Sequence, residues 1–271
     1  MTRRDLVNRI DDKQNLLCVG LDTDIKRVPT FLQENFDDPI FEFNRRIIEA
    51  TQSHCVAYKF NIAFYESLGS KGWLSLEKSL SLIPPTHFSI ADAKRGDIGN
   101  TSGLYARTFF ETYNFDAITV APYMGRDSLE PFYSYHDKWV IILGLTSNPG
   151  SADFQQLKLN SGEEVFKQVI KTASTYGDAK NTMFVVGATK SSYFKQIRDI
   201  IPDHFLLVPG IGKQGGNLEE TLDLGLNEDY GMLINSSRGI IYAGTGEDFD
   251  VVAGIAAESV ADDMKMALQR R

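Results

Sequence analysis

The chain reads as an α/β protein folded as a (β/α)8 TIM barrel, a single domain over residues 1–271 opened by a short N-terminal helix. Three observations predict it. Eight short apolar runs recur along the chain, most of them separated by segments with helical periodicity. The runs are nearly continuous rather than alternating, as strands buried on both faces by helices must be. A length of 271 residues is also enough for eight such units to close on themselves.

The elements follow in order. Residues 2–12 form a helix with Leu6 and Ile10 on one face, and the run 16–22 is a strand ending in Asp22. Residues 23–38 read as an irregular connection. Pro39 opens a helix in which Phe43, Ile47, Ile48 and Ala50 recur at helical spacing. The run 55–60 is the second strand, ending at Lys59 and Phe60, and a helix around 72–83 is closed by Pro84 and Pro85. The third strand begins at Ser89 and carries Asp92 and Lys94. Its helix bears Tyr105, Phe109, Phe110 and Tyr113, an aromatic face that reads as packing. The runs 116–121, 139–145, 182–187, 205–209 and 232–235 complete the eight, with helices near 127–135, 163–176, 190–200 and 250–270. Cys18 and Cys55, each four residues before a strand-end charge, read as inward-facing, buried, unpaired thiols.

Composition excludes several classes. A formal net charge of −8 opposes a general nucleic-acid surface, because phosphate backbones need a positive footprint. No apolar run approaches the ~20 residues that span a bilayer, so no membrane role is expected. The N-terminus lacks the apolar core of a signal peptide, and a cytoplasmic location is expected. Two cysteines with no CxxC and no Cys/His cluster oppose a disulfide scaffold or structural zinc. The four histidines fall away from the strand C-termini and read as structural.

In such barrels the strand C-termini share one face, where active sites are built. Asp22, Lys59, Asp92, Lys94, Ser147, Gln214 and Arg238 all fall at or just past strand C-termini. In an extended strand Asp92 and Lys94, two apart, project side by side, while Asp97 lies past the strand end and can face elsewhere. The glycine-rich loop 210–217 lets backbone N–H groups approach an anion, and Asn217 or a neighbour can cap the next helix. Arg238, beside Gly239, offers a bidentate fork to phosphate. No Ser or Cys sits beside a His base, so a triad is unsupported. Lys59 and Lys94 among the acids oppose a divalent metal. What remains is a cationic acid between carboxylates, able to stabilise a carbanion and then protonate it.

These residues resemble the orotidine 5'-phosphate decarboxylase family along essentially the whole chain. The signature D-x-K-x-x-D-I-x-x-T is carried by Asp92, Lys94, Asp97, Ile98 and Thr101, within a DAKRGDIG string similar to the family's longer branch. Gly20-Leu21-Asp22, Lys59-Phe60-Asn61, Pro209-Gly210-Ile211-Gly212, Gln214-Gly215-Gly216 and Arg238-Gly239 fall where its other motifs belong. Ala121 departs from the Asn expected before Pro122-Tyr123-Met124-Gly125.

The resemblance implies decarboxylation of orotidine 5'-phosphate to UMP, the last step of de novo pyrimidine nucleotide synthesis, with no metal or organic cofactor. It implies that Lys94 protonates C6, that Asp92 lies against the substrate carboxylate, and that Lys59 orients Asp92. Asp22 and Lys59 would hold the ribose hydroxyls, Ser147 the pyrimidine edge, and Gln214 and Arg238 the phosphate, with Pro209 and Gly239 lining the same site. Asp97, Ile98 and Thr101 would reach the partner subunit's site in a homodimer. The alternatives are a metal-dependent sugar-phosphate decarboxylase or aldolase of the same barrel superfamily, and a non-catalytic nucleotide-binding barrel. The first needs a second acid at the end of strand two, where this chain has Lys59. The second would lose one of Asp92, Lys94 or Asp97, and all three are present.

Overall fold

A computed structural model describes residues 1–211 and 217–270. Eight parallel strands close into a barrel in sequence order. The chain runs α1 (Arg3–Lys13), β1 (Leu17–Gly20), α2 (Thr30–Asn35), α3 (Pro39–Thr51), β2 (Ala57–Asn61), α4 (Ile62–Glu66), α5 (Gly69–Leu80) and β3 (Phe88–Arg95). It continues through α6 (Gly99–Arg107), β4 (Ala117–Val120), α7 (Arg126–Tyr133), β5 (Trp139–Leu145), α8 (Ser151–Phe154), α9 (Val165–Ala173) and β6 (Thr182–Val186). Then come α10 (Phe194–Ile200), β7 (Phe205–Pro209), α11 (Leu218–Gly225), β8 (Met232–Ser236), α12 (Arg238–Ile241) and α13 (Phe249–Gln269). By Cα proximity the chain divides into two units, one of residues 8–93 with 235–271, the other of residues 1–7 with 94–234.

In the first unit, β1 pairs with β2 (Gly20 opposite Lys59) and β2 with β3 (Asn61 opposite Asp92). The strand residues are almost all buried, as their continuous apolar runs require. Helix α3 starts where Asp38 accepts a hydrogen bond from the Phe41 N–H (3.0 Å), with Pro39 in the first turn. Its buried face carries Ile40, Phe43, Ile47, Ile48 and Thr51, and Phe43 stacks on Phe249 of α13 at 4.9 Å. The region expected to be irregular holds a 3-10 turn at Ile25–Arg27 and then α2. Only Leu32 of α2 is buried, so six residues carry no readable periodicity. Helices α4, α8 and α12 escape sequence reading for the same reason, at four or five residues each. Cys18 and Cys55 are both free and buried, but Cys55 precedes β2, so strand alternation does not set its direction.

In the second unit, β4 to β7 pair in parallel, with a register shift at Gly144 in β5. The aromatic segment after β3 is packing, as its spacing suggests, but α6 passes into a π-helical turn at Thr108–Thr112. That widened turn accompanies burial of both adjacent rings. Phe109 packs on Phe115 (6.3 Å) and Phe110 edge-on against Phe132 (6.4 Å). Arg198 of α10 donates to the carbonyls of Gly225 and His204 (each 2.6 Å) and Gly231 (2.8 Å). A half-buried guanidinium thereby ties together the loops before β7 and β8, and loss of solvent around it lowers its pKa to about 10.

Two histidines sensitise the fold to acid. Burial is the main cause that lowers His87 and His204 to about 4 each, with Arg9 adding at His87 and Arg3 and Arg198 adding at His204. Both ring nitrogens of His204 are buried without a partner. The unfolded chain, with imidazoles near 6.5, therefore binds more protons between pH 6.5 and 4. Their contribution to stability is complete above pH 6.5 and is lost as pH falls through about 4. Urea midpoints should drop between pH 7 and pH 4.5, and His87→Gln should flatten that drop; an unchanged slope would contradict this account.

Candidate active site

Among the described residues singled out in the sequence, Lys59 lies within β2 and Asp92 and Lys94 within β3, while Asp22, Ser147 and Arg238 each lie two residues past the ends of β1, β5 and β8. Within the first unit, Lys59 of β2 is 4% exposed. Its Nζ donates to Asp92 Oδ2 of β3 at 2.9 Å and to Asp22 Oδ1, just past β1, at 3.2 Å. The register brings these together, since Lys59 faces Gly20 across one ladder and Asp92 lies two residues past Lys59's partner in β3 across the other. Burial alone would lower the pKa of Lys59. The pull of Asp22 and Asp92, with the hydrogen bond to Asp92, overrides it and holds the ammonium above the usual lysine range. On the alkaline side, the lysine's contribution to stability is complete up to its unfolded pKa of about 10.4 and is lost as the solution becomes more alkaline than that. Arg238 and Gly239 form the exposed first turn of α12.

Within the second unit, Lys94 is exposed and has φ +49°. Lys94 thus departs from extended backbone inside β3, at a point that strand periodicity alone does not mark. A left-handed conformation costs a non-glycine residue roughly 1–2 kcal/mol, and such residues collect where function requires them. The cost is offset in part by Thr119 of β4, whose Oγ1 accepts the Lys94 N–H at 2.9 Å. Sequence reading missed Thr119; its signal is a hydroxyl inside the apolar run 117–120, buried in the fold. Beyond β3, the Ile98 N–H donates to Asp97 Oδ1 (2.8 Å), while Ile98 is 60% exposed and Thr101 is exposed in the first turn of α6.

Gly96 lies against the end of β4, where an added Cβ would sit 3.2 Å from the Ala121 carbonyl oxygen and 3.7 Å from its Cβ. The position expected to hold Asn thus presents a methyl and a carbonyl to the turn that carries Asp97. Ser147 is exposed two residues past β5. A Cβ at Gly187 would meet the Ser147 N and Cα at 2.8 Å, so Gly187 admits the backbone that carries Ser147. Gly187→Ala should shift that loop, lowering stability by about 1–3 kcal/mol. An unshifted urea midpoint would contradict it.

Pro209 ends β7, and Gly210 follows with φ +93°, a conformation suited to glycine. Gln214 and the glycines at 212, 215 and 216 lie outside the described residues. Asn217 does cap α11, its Oδ1 accepting from the Glu220 N–H at 3.2 Å. Among the described residues no cluster of three or more His, Cys, Asp or Glu suits a metal ion, and no helix is long and apolar enough to cross a membrane.

The model of the orotidine 5'-phosphate decarboxylase / HUMPS family matches residues 15–248. A Phocaeicola vulgatus protein named orotidine 5'-phosphate decarboxylase is 54% identical over 268 residues, covering 98% of this chain and 98% of its own. One from Bacteroides fragilis with the same name is 52% identical over 272 residues, covering 99% of each chain. The solved structure of Leishmania donovani OMP decarboxylase superposes with a TM-score of 0.85 at 36% identity, covering 99% of each chain. The chain belongs to the orotidine 5'-phosphate decarboxylase / HUMPS family.

Proposed function

We propose that this protein converts orotidine 5'-phosphate to UMP and carbon dioxide, using its own side chains and no metal or organic cofactor. The observation that carries the reading is Lys59, held buried between Asp22 and Asp92 at 3.2 and 2.9 Å, in a chain whose full-length relatives bear this enzyme's name. An ammonium occupies the carboxylate oxygens that a divalent ion would need, which favours this activity over a metal-dependent relative.

The chemistry then follows from charge. Asp92 lies against the departing carboxylate, where like charges raise the bound substrate relative to the less crowded transition state. The bond from C6 to the carboxylate carbon breaks, its electron pair stays on C6, and carbon dioxide leaves. Lys94, a preorganised cation, stabilises that carbanion and gives it a proton; solvent then reprotonates the lysine. Lys59 orients Asp92 and, with Asp22, holds the ribose hydroxyls. Ser147 reads the pyrimidine edge. Gln214, Arg238, Pro209 and Gly239 enclose the phosphate end.

Residues 1–271 act as one barrel domain, and the enzyme works in the cytoplasm as a homodimer. The exposed apolar side chains Ile98, Leu104, Tyr123 and Met124 support a surface that a second copy covers. Asp97, Ile98 and Thr101 serve the neighbouring subunit's site. An Asp97→Ala chain therefore damages its partner's site, whereas Lys94→Ala damages its own. Mixing the two inactive variants should restore activity, approaching one working site per heterodimer. Subunit exchange seen by mass spectrometry without recovered turnover would remove the shared-site reading.

The function itself is tested by following the ultraviolet absorbance of orotidine 5'-phosphate on incubation with purified protein, with and without EDTA. Stoichiometric UMP formation unaffected by EDTA is expected. No turnover, or turnover abolished by the chelator, would overturn it.

A further inference from the structure

We propose that Tyr65 and Tyr242 are positioning residues that set Asp22, and through it Lys59, by clamping the backbone of residues 21–24 with their hydroxyl groups. This rests on the role given above to Asp22 in holding the ribose.

Asp22 lies where the sheet no longer supports the chain. The last ladder bond of β1 runs from the Leu21 N–H to the Lys59 carbonyl (2.8 Å), and residues 21–24 belong to no helix or strand. Side chains take over. Tyr65, in α4, donates its hydroxyl to the Leu21 carbonyl at 3.0 Å. Tyr242, directly after α12, donates to the Asp22 carbonyl at 3.1 Å and accepts the Asp24 N–H at 2.7 Å. The backbone on both sides of Asp22 is therefore gripped by two phenols whose rings are anchored elsewhere. Tyr65 is wholly buried beside Phe60 (5.9 Å), and Tyr242 lies between Phe43 (5.7 Å) and the Arg27 guanidinium (3.8 Å).

The clamp is braced from behind. Asn44 of α3 donates to the Tyr65 hydroxyl (3.0 Å) and to Ser79 Oγ (2.9 Å), and its Oδ1 accepts from the Thr23 hydroxyl at 2.6 Å. Both amide hydrogens and the carbonyl of Asn44 are used, and Asn44, Thr23, Tyr65 and Ser79 are all buried. A fully satisfied buried network of this kind admits few alternative arrangements. Burial is the main cause that pushes both tyrosine hydroxyls above their usual range, so both remain donors at neutral pH. Tyr242 also terminates the single turn that Arg238 begins, so one short helix joins the residue assigned to the phosphate to the clamp on Asp22.

The network differs from ordinary core packing in what it fixes. An Asp22 displaced by a few tenths of an ångström loses its aim at Lys59 and at a ribose hydroxyl, while the barrel keeps its strands.

The test uses equilibrium binding of UMP and of its 2′,3′-dideoxy analogue, by calorimetry, so that it does not depend on turnover. Wild type should prefer UMP. Tyr65→Phe and Tyr242→Phe should each reduce that preference by about fivefold, the worth of roughly one hydrogen bond near 1 kcal/mol, with dideoxy binding little changed. Tyr58→Phe is the control. Tyr58 is buried in the same unit, and its hydroxyl contacts Thr51 (2.8 Å) and the Ile48 carbonyl (3.2 Å) rather than residues 21–24. It should lose comparable stability in urea while keeping the preference. If Tyr65→Phe does not fold, half-buried Tyr242 carries the test alone. An unchanged preference in the clamp variants, or a parallel fall for both ligands, would overturn the proposal while leaving the proposed function standing. A wild type indifferent to the ribose hydroxyls would remove the role of Asp22 and the clamp with it. A wild type that prefers UMP yet fails to act on orotidine 5'-phosphate would overturn the proposed function alone.

Discussion

Lys94→Ala is expected to lower kcat by at least about three orders of magnitude, within the range for loss of a positioned general acid, while the fold survives. Among the signature residues Asp92, Lys94 and Asp97, Lys94 is the only cation, and in the proposed mechanism its loss removes both the charge that stabilises the carbanion and the proton that ends it. The backbone separates this effect from stability. Lys94 is held at φ +49° with its N–H bonded to Thr119, and alanine inherits that strain while glycine does not. Lys94→Gly should therefore be as inactive as Lys94→Ala yet more stable than it by about 1 kcal/mol, less the entropy glycine gains when unfolded. Single-turnover assays and urea titration of both variants check the pair. Residual kcat within about tenfold of wild type, roughly 1.4 kcal/mol of barrier, would remove Lys94 as the acid. Equal stability of the two variants would mean that the left-handed conformation stores no strain.

Lys59→Ala should damage stability and activity together. Its ammonium is buried between carboxylates whose side chains are 18% and 11% exposed, for Asp22 and Asp92. Removing it leaves two neighbouring negative charges facing each other. Breaking a buried pair costs about 3–5 kcal/mol, and the lower end applies because water reaches both acids. Turnover should fall further than stability suggests, since Asp92 loses the group that aims it. Both chains should lose stability in acid as His87 and His204 take up protons, but acidification, which neutralises carboxylates, should narrow the gap between Lys59→Ala and wild type. A variant that shows the wild-type response to acid would mean that Lys59 is not the partner on which these acids depend.

The sequence by itself determined the barrel and the places where chemistry could sit. The run Trp139–Leu145 and the run Phe205–Pro209 are strands over the residues their apolarity marks, and Lys59, Asp92 and Lys94 lie within β2 and β3 while Asp22 lies two residues past β1. Burial on both faces and the spacing D-x-K-x-x-D are local signals, and a local signal survives in a linear chain. Tertiary structure decided what those residues do to one another. The left-handed turn at Lys94 depends on Thr119 one strand away, so strand alternation, a property of one segment, could not foresee it. Helices α2, α4, α8 and α12 are too short to write a period. The bond from the Asp24 N–H to the Tyr242 hydroxyl spans 218 residues and joins one phenol to one stretch of backbone. Such a contact has no repeat and no spacing, so only the closed chain, bringing α12 back beside the end of β1, makes it exist.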